Sequence, residues 1–157
     1  MKRVGRQVDR VPDLLLPRTV VDECDRLMAA VRPREACALL VGERTDAGHE
    51  VLRLAPIPNL AGDVDTFRLD PRSWRKVELD ARVEGLEVLG VWHSHPRTEA
   101  TPSPRDQAGA QPGWSHAISA AAGPVRLKSY FPSEGRLVEQ KVVTCVPVAQ
   151  PRSANRC

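Results

Sequence analysis

Val91-Trp92-His93-Ser94-His95-Pro96-Arg97-Thr98-Glu99-Ala100-Thr101-Pro102-Ser103-Pro104-Arg105-Asp106 is the stretch on which the reading of this sequence turns. The apolar residues leading into it, Leu86, Val88, Leu89, Val91 and Trp92, predict a buried strand that ends at the histidines. Residues two apart on a strand share a face and lie about 6.6 Å apart. His93 and His95 can therefore aim their imidazoles at one point, and Pro96 ends the hydrogen-bonded ladder. Asp106, brought back by the Pro-rich loop, is a candidate third ligand. Two histidines, one carboxylate and an open fourth position describe a catalytic rather than a structural zinc site.

Each part also has a plainer reading. A His-x-His pair alone often packs in a sheet without a metal. Ser103-Pro104-Arg105-Asp106 is a capping box, with Ser at the N-cap, Pro at N1 and an acid at N3, which by itself marks a helix start. The two readings agree, because a helix that holds Asp106 in its first turn also fixes the direction of that carboxylate. Upstream, Glu35 stands directly before the apolar run Ala36-Cys37-Ala38-Leu39-Leu40-Val41-Gly42. Alone, it would be an exposed edge acid.

Taken together, the order is Glu35, then His93-Ser94-His95-Pro96, then seven residues between His95 and Ser103, then two between Ser103 and Asp106. This order resembles the JAMM (MPN-plus, or JAB/MPN) zinc metalloproteases, which cut after the C-terminal tails of ubiquitin-like proteins. The resemblance runs from about residue 13 to 143 and includes Phe67 to Pro71 and the Trp114-Ser115 region. Ala38 stands where that family often has Gly. The resemblance implies a JAMM fold, an α/β structure with a mixed sheet flanked by two main helices and a short helix after the metal-binding loop. It implies Zn2+ as cofactor, with His93, His95 and Asp106 as metal ligands. It makes Glu35 the group that moves protons and Ser103 the donor that steadies the oxyanion.

The implied partner is a ubiquitin-like or sulfur-carrier protein whose Gly-Gly C-terminus is freed from an added residue or adduct. Bacterial relatives that remove ubiquitin-like modifiers in antiphage systems are a second possibility. A non-catalytic MPN scaffold would lack a ligand or the acid, and none is missing. A zinc nucleobase deaminase would need H-x-E with a later C-x-x-C, and that spacing does not occur.

Length and charge set outer bounds. At 157 residues the chain is one domain by size, enough to bury roughly 68–70% of its unfolded surface. The net charge is +3. Lys2, Arg3, Arg6 and Arg10 against Asp9 leave the first ten residues at +3, and Arg152 and Arg156 add two more near the end, so the interior is net −2. Basic groups confined to the tails argue against a nucleic-acid-binding face. The N-terminus lacks an apolar h-region, and Leu14-Leu15-Leu16 is far too short to span a membrane. Cys24 and Cys37 fall in apolar periodic segments, as buried reduced thiols do. A cytoplasmic protein is expected.

In chain order, a flexible basic segment over 1–12 precedes a domain over 13–145, and 146–157 reads as a disordered tail. Asp13 to Pro17 predicts a strand, and Thr19 the cap of a helix that Pro33 ends. A nearly all-apolar strand over about 36–42 is expected at the centre of the sheet. Glu43 to Glu50 reads as a turn with a solvated His49, followed by a strand over 51–57. Asn59 fits an Asx turn better than a contact near the metal. Thr66 to Leu69 predicts a short strand, and Asp70-Pro71 starts a helix that Gly85 ends. Ser103 to Gln111 forms a short helix. Trp114–Ala120, Val125–Phe131 and Arg136–Val143 predict three further strands, with His116 a half-buried sheet residue.

Overall fold

The computed structural model describes residues 10–146, so most of the expected basic N-terminus and disordered tail lies outside the described residues. The elements in order are β1 (Asp13–Pro17), α1 (Arg18–Val31), β2 (Cys37–Thr45), β3 (Gly48–Ile57), α2 (Pro71–Val83), β4 (Glu87–His95), α3 (Pro104–Ala108), β5 (Ser115–Ala120), β6 (Leu127–Ser133), β7 (Arg136–Gln140) and β8 (Val142–Cys145). Among the described residues the strands form one eight-stranded sheet in the order β7-β6-β5-β4-β2-β3-β1-β8. It is mixed: β1 pairs with β3 and β8 in parallel, β4 with β5 in parallel, and the other pairs are antiparallel.

With residues 37–42 apolar and buried, β2 takes a central place between β3 and β4, as a stretch buried on both faces should. Its alternate residues serve two cores. Ala38 and Leu40 pack with Val20, Cys24 and Met28 of α1. Leu39 and Val41 pack with Ala81 of α2 and with Val77 and Trp74 around it. In β4 the register skips a residue, Leu40 pairing with Gly90 and Val41 with Val88. That bulge puts Val88 and Val91 together on the α2 face, and Leu89 and Trp92 on the α1 face. Beyond Val91 the alternation resumes, which carries His93 and His95 to the α2 face and Ser94 to the other. Gly90 is required where β4 meets β5, because a Cβ there would lie 2.0 Å from the Ser115 carbonyl oxygen.

Helix α2 begins as the sequence predicts, with the Asp70 carboxylate accepting the Ser73 N–H at 3.2 Å and Pro71 in the first turn. It ends at Gly85, whose φ of 75° lies in the left-handed region that glycine tolerates. Four expectations need correction. Helix α1 starts one residue before Thr19: Pro17 occupies the N-cap with no side-chain cap, since β1 runs straight into the helix. The turn after β2 is only Asp46-Ala47, so His49 belongs to β3 and is buried. It is held by Ser115 at 2.7 Å and Arg44 at 2.7 Å. Thr66 to Leu69 is not a strand: one isolated bridge joins Asn59 to Leu69, and the segment crosses the face of β4 rather than joining the sheet. The run Arg136–Val143 divides at Lys141 into β7 and β8, which lie at opposite ends of the strand order.

A one-residue link between the two end strands requires a strongly curled sheet. The seam is visible in two bonds: the Leu14 N–H to the Lys141 carbonyl at 2.8 Å, and the Gln140 side-chain amide to the Pro12 carbonyl at 2.8 Å. No helix among the described residues is long and apolar enough to cross a membrane.

Candidate metal centre

The β2–β4 ladder places Cys37 opposite His93, so Glu35, two residues before Cys37, comes beside His95 beyond the end of the ladder. The Glu35 Oε1 lies 3.9 Å from His95 Nε2. The two histidine Nε2 atoms are 3.1 Å apart. Asp106 reaches the same point from α3, with Oδ1 at 3.3 Å from His93 Nε2 and Oδ2 at 3.4 Å from His95 Nε2. Glu35, His93 and His95 are all buried, and their ligand atoms lie within 4.8 Å of one another. Thus Glu35, His93, His95 and Asp106, spread over 72 positions of sequence, meet at one point.

The capping box is present and aims Asp106. Ser103 N–H donates to Asp106 Oδ2 at 2.7 Å, and Asp106 N–H donates to Ser103 Oγ at 3.1 Å. The Ser103 hydroxyl keeps its own proton to donate into the cleft that it lines with Glu35 and His95. His95 is oriented from behind: its Nδ1 lies 2.8 Å from the Glu99 carbonyl, which can only accept. Nδ1 therefore carries the proton and Nε2 keeps its lone pair toward the cluster. Phe67 stacks on the His93 ring with centroids 4.4 Å apart.

Burial pushes the Glu35 carboxyl up to about 7, with His95 pulling the other way and Asp106 adding to the rise. Burial acts on Asp106 in the same sense, but its contacts with His93 and His95 outweigh it and hold that carboxyl far below the usual range. The two acids of one cluster are thus pushed apart, one suited to moving protons and the other held ionised.

The donor set fits a small divalent ion. Donors sharing a tetrahedral zinc at bonds of about 2.0–2.2 Å lie about 3.3–3.5 Å from each other. The 3.1 Å between the histidine Nε2 atoms comes close to this, and each Asp106 oxygen lies at such a distance from one histidine, Oδ1 at 3.3 Å from His93 and Oδ2 at 3.4 Å from His95, whereas the 3.9 Å to Glu35 is longer.

The family described as prokaryotic homologs of the JAB domain matches residues 17–131, a span that holds all five of these side chains. The chain belongs to that family. Among relatives of this JAB domain, the probable TtuB-protein conjugate cleaving protease of Thermus thermophilus is 34% identical over 94 residues, 59% of this chain and 60% of that protein. The chain thus matches under two thirds of that relative's length. The desampylase of Haloferax volcanii is 29% identical over 109 residues, 66% of this chain and 75% of that protein. The solution structure of a Desulfitobacterium hafniense protein superposes with a TM-score of 0.78 at 30% identity, covering 86% of this chain and 94% of that one.

Two contributors escaped the sequence reading, and a third, Asn59, reads there as a turn residue only. Ser94 accepts the Ala36 N–H at 2.9 Å; alternation alone shows only that it faces away from the histidines. The Glu99 contact is made by a backbone carbonyl, which no residue type announces. Asn59 does form the expected Asx turn, accepting the Ala61 N–H at 2.9 Å, but it also donates to the Glu35 carbonyl at 3.0 Å. Cys37 instead turns its thiol to the Ile57 carbonyl at 3.3 Å, and burial pushes that thiol up to about 12. His116 is buried in β5, in the wall beside His93, and is not one of the converging donors.

Proposed function

We propose that this JAB domain is a zinc-dependent (iso)peptidase of the cytoplasm. It hydrolyses the amide bond after the C-terminal Gly-Gly of a ubiquitin-like or sulfur-carrier protein. The observation that carries the reading is the position of Glu35: a buried carboxyl with its pKa near 7, set just outside a His93–His95–Asp106 donor triangle. The names of the Thermus and Haloferax relatives support the substrate class.

In this reading His93, His95 and Asp106 hold the ion, which when bound polarises the scissile carbonyl and lowers the pKa of a water to about 7. Glu35 takes the proton of the attacking water as the new C–O bond forms. When the C–N bond breaks, Glu35 passes that proton to the departing nitrogen. The Ser103 hydroxyl donates to the oxygen that gains charge, a contact whose loss typically costs about 10²–10³ in rate. Asp106 stays ionised throughout, and the Glu99 carbonyl keeps His95 in the tautomer the ion requires.

The test joins metal analysis with product masses. Glu35→Gln should keep one zinc per chain and lose turnover, and His95→Ala should lose the zinc. A sulfur carrier extended by one residue beyond Gly-Gly should release only that residue, while casein stays intact. Zinc lost from Glu35→Gln would move Glu35 into the ligand set, and equal digestion of carrier and casein would refute the substrate class.

A further inference from the structure

The capping box turns Asp106 within α3, but the histidines it meets belong to β4, so α3 must itself be held against the sheet. Its own residues hold it poorly. Helix α3 is five residues long and buries none of them, and a helix so short is marginal without tertiary support. The Arg105–Asp63 ion pair, 3.6 Å apart, joins two exposed side chains, and such pairs contribute little. It also ties α3 to the segment before α2 rather than to the sheet.

Gln107, next to Asp106, makes the tie. Its Oε1 accepts the Leu137 N–H at 3.0 Å, across 30 positions of sequence. Leu137 lies in β7 opposite Pro132, which has no N–H to exchange, and β7 ends the strand order. The Leu137 N–H is therefore an edge donor, and Gln107 takes it as an added strand would. Apart from Asp106, Gln107 is the one α3 side chain bonded to the sheet among the described residues. The Gln111 N–H reaches His116 Nε2 at 3.3 Å only after α3 has ended. The anchor is firm, because Leu137 packs half-buried against Ala100, Ile118, Ala120 and Tyr130. The β6–β7 hairpin thus holds the metal-binding loop at Ala100, through the Tyr130 hydroxyl, and α3 at Gln107.

We propose that Gln107 is a positioning residue for the metal site: by binding the β7 edge it sets the place of α3, and with it the Asp106 carboxylate, against His93 and His95. The inference rests on the reading of Asp106 as a ligand given above, and its test separates the two. Gln107 touches neither the ion nor the substrate. Its effect therefore passes through Asp106 and shows in metal binding, before any turnover. When the bond is lost, the freed N–H lies at a sheet edge, where water can replace Gln107, so the fold survives.

Zinc affinity is measured by competition with chelating dyes of matched strength in the unmutated protein, Gln107→Leu, Asp106→Ala and the double variant. Gln107→Leu should bind zinc about tenfold more weakly than the unmutated protein, the low end for groups that orient a ligand. In the Asp106→Ala background the same change should have no effect, since the residue it positions is gone. The zinc-free Gln107→Leu protein should keep the urea midpoint of the unmutated one, while hydrogen exchange at the Leu137 amide quickens. Unchanged zinc affinity in Gln107→Leu overturns the proposal, as does an equal loss in both backgrounds or a zinc-free variant that no longer folds. If Asp106→Ala binds zinc as tightly as the unmutated protein, Asp106 leaves the ligand set and this proposal falls with it. A loss of affinity in Asp106→Ala but not in Gln107→Leu keeps the ligand and removes only the role of Gln107.

Discussion

The Ser94 hydroxyl accepts the Ala36 N–H at 2.9 Å, and the Ala36 carbonyl accepts the Ser94 N–H at 3.0 Å. The residue between the two site histidines is thereby bonded to the residue after Glu35. This pair of bonds continues the β2–β4 contact one step past Cys37 and His93 and fixes the offset of Glu35 from the two histidines. Ser94→Ala leaves the Ala36 N–H buried without its side-chain acceptor, at a cost of about 1–3 kcal/mol. Urea denaturation should show a lower midpoint with an unchanged slope. Turnover should fall more than zinc affinity does, because Glu35 is displaced while the ligands stay.

Ser103→Ala separates the two duties of that residue. The backbone N–H that aims Asp106 is untouched, so zinc content should stay near one per chain. The loss of the N-cap acceptor should lower stability by about 1 kcal/mol. Turnover should drop about 10²–10³-fold. Metal analysis beside steady-state kinetics checks both halves, and loss of zinc would show that the cap, not the oxyanion, is the main role of Ser103.

Tyr130 supports His95 from a distance. Its hydroxyl donates to the Ala100 carbonyl at 2.7 Å, next to the Glu99 carbonyl that holds His95 Nδ1. Ala100 itself is buried against Ile118, Ala120 and the Tyr130 ring. Tyr130→Phe keeps the ring and removes the bond, so the zinc-free protein should remain folded. Its zinc affinity should weaken about tenfold, the low end for supports of a ligand. Competition with a chelating dye measures it.

Stability should fall in mild acid through His49. Burial, with Arg44 adding, pushes its pKa down to about 4. Arg44 can only donate, so His49 Nε2 accepts at 2.7 Å and Nδ1–H donates to Ser115 at 2.7 Å, the neutral form. Unfolded, the ring titrates at about 6.5. Between the two values the unfolded chain holds the extra proton, so stability is complete above about pH 6.5 and declines as pH falls toward 4. His116, lowered to about 4 mainly by burial, adds to the same slope. In zinc-free protein, His49→Gln should reduce the difference between urea midpoints at pH 7.5 and pH 5.

The central strand and the helix after Asp70 are legible in local chemistry, alternation and capping residues, whereas the five side chains that meet at the cleft are gathered only by the resemblance of their joint order to a known family, since Glu35 alone reads as an edge acid. What the sequence hid depends on partners far away in the chain. His49 looks solvated among Asp46, Ala47 and Gly48, and only the curl of the sheet brings Ser115 to it. Thr66 to Leu69 alternates like a strand, yet Phe67 is committed to the His93 ring and the segment to Asn59. Arg136 to Val143 is one apolar-patterned run, and nothing within it signals that Lys141 passes from one end of the strand order to the other.

That passage also sets an order of assembly. The bond from Gln140 to the Pro12 carbonyl spans 128 positions. Contacts so distant cost the most chain entropy and form late, once the intervening segments have folded. During synthesis β1 can pair with β3 early, but its other edge stays bare until residues 142–145 emerge from the ribosome. The final four-residue strand thus acts as a latch. Until the latch seats, the longer free edge of β1 is open to pairing with another chain, and once it seats only the four-residue β8 is left at that end of the strand order.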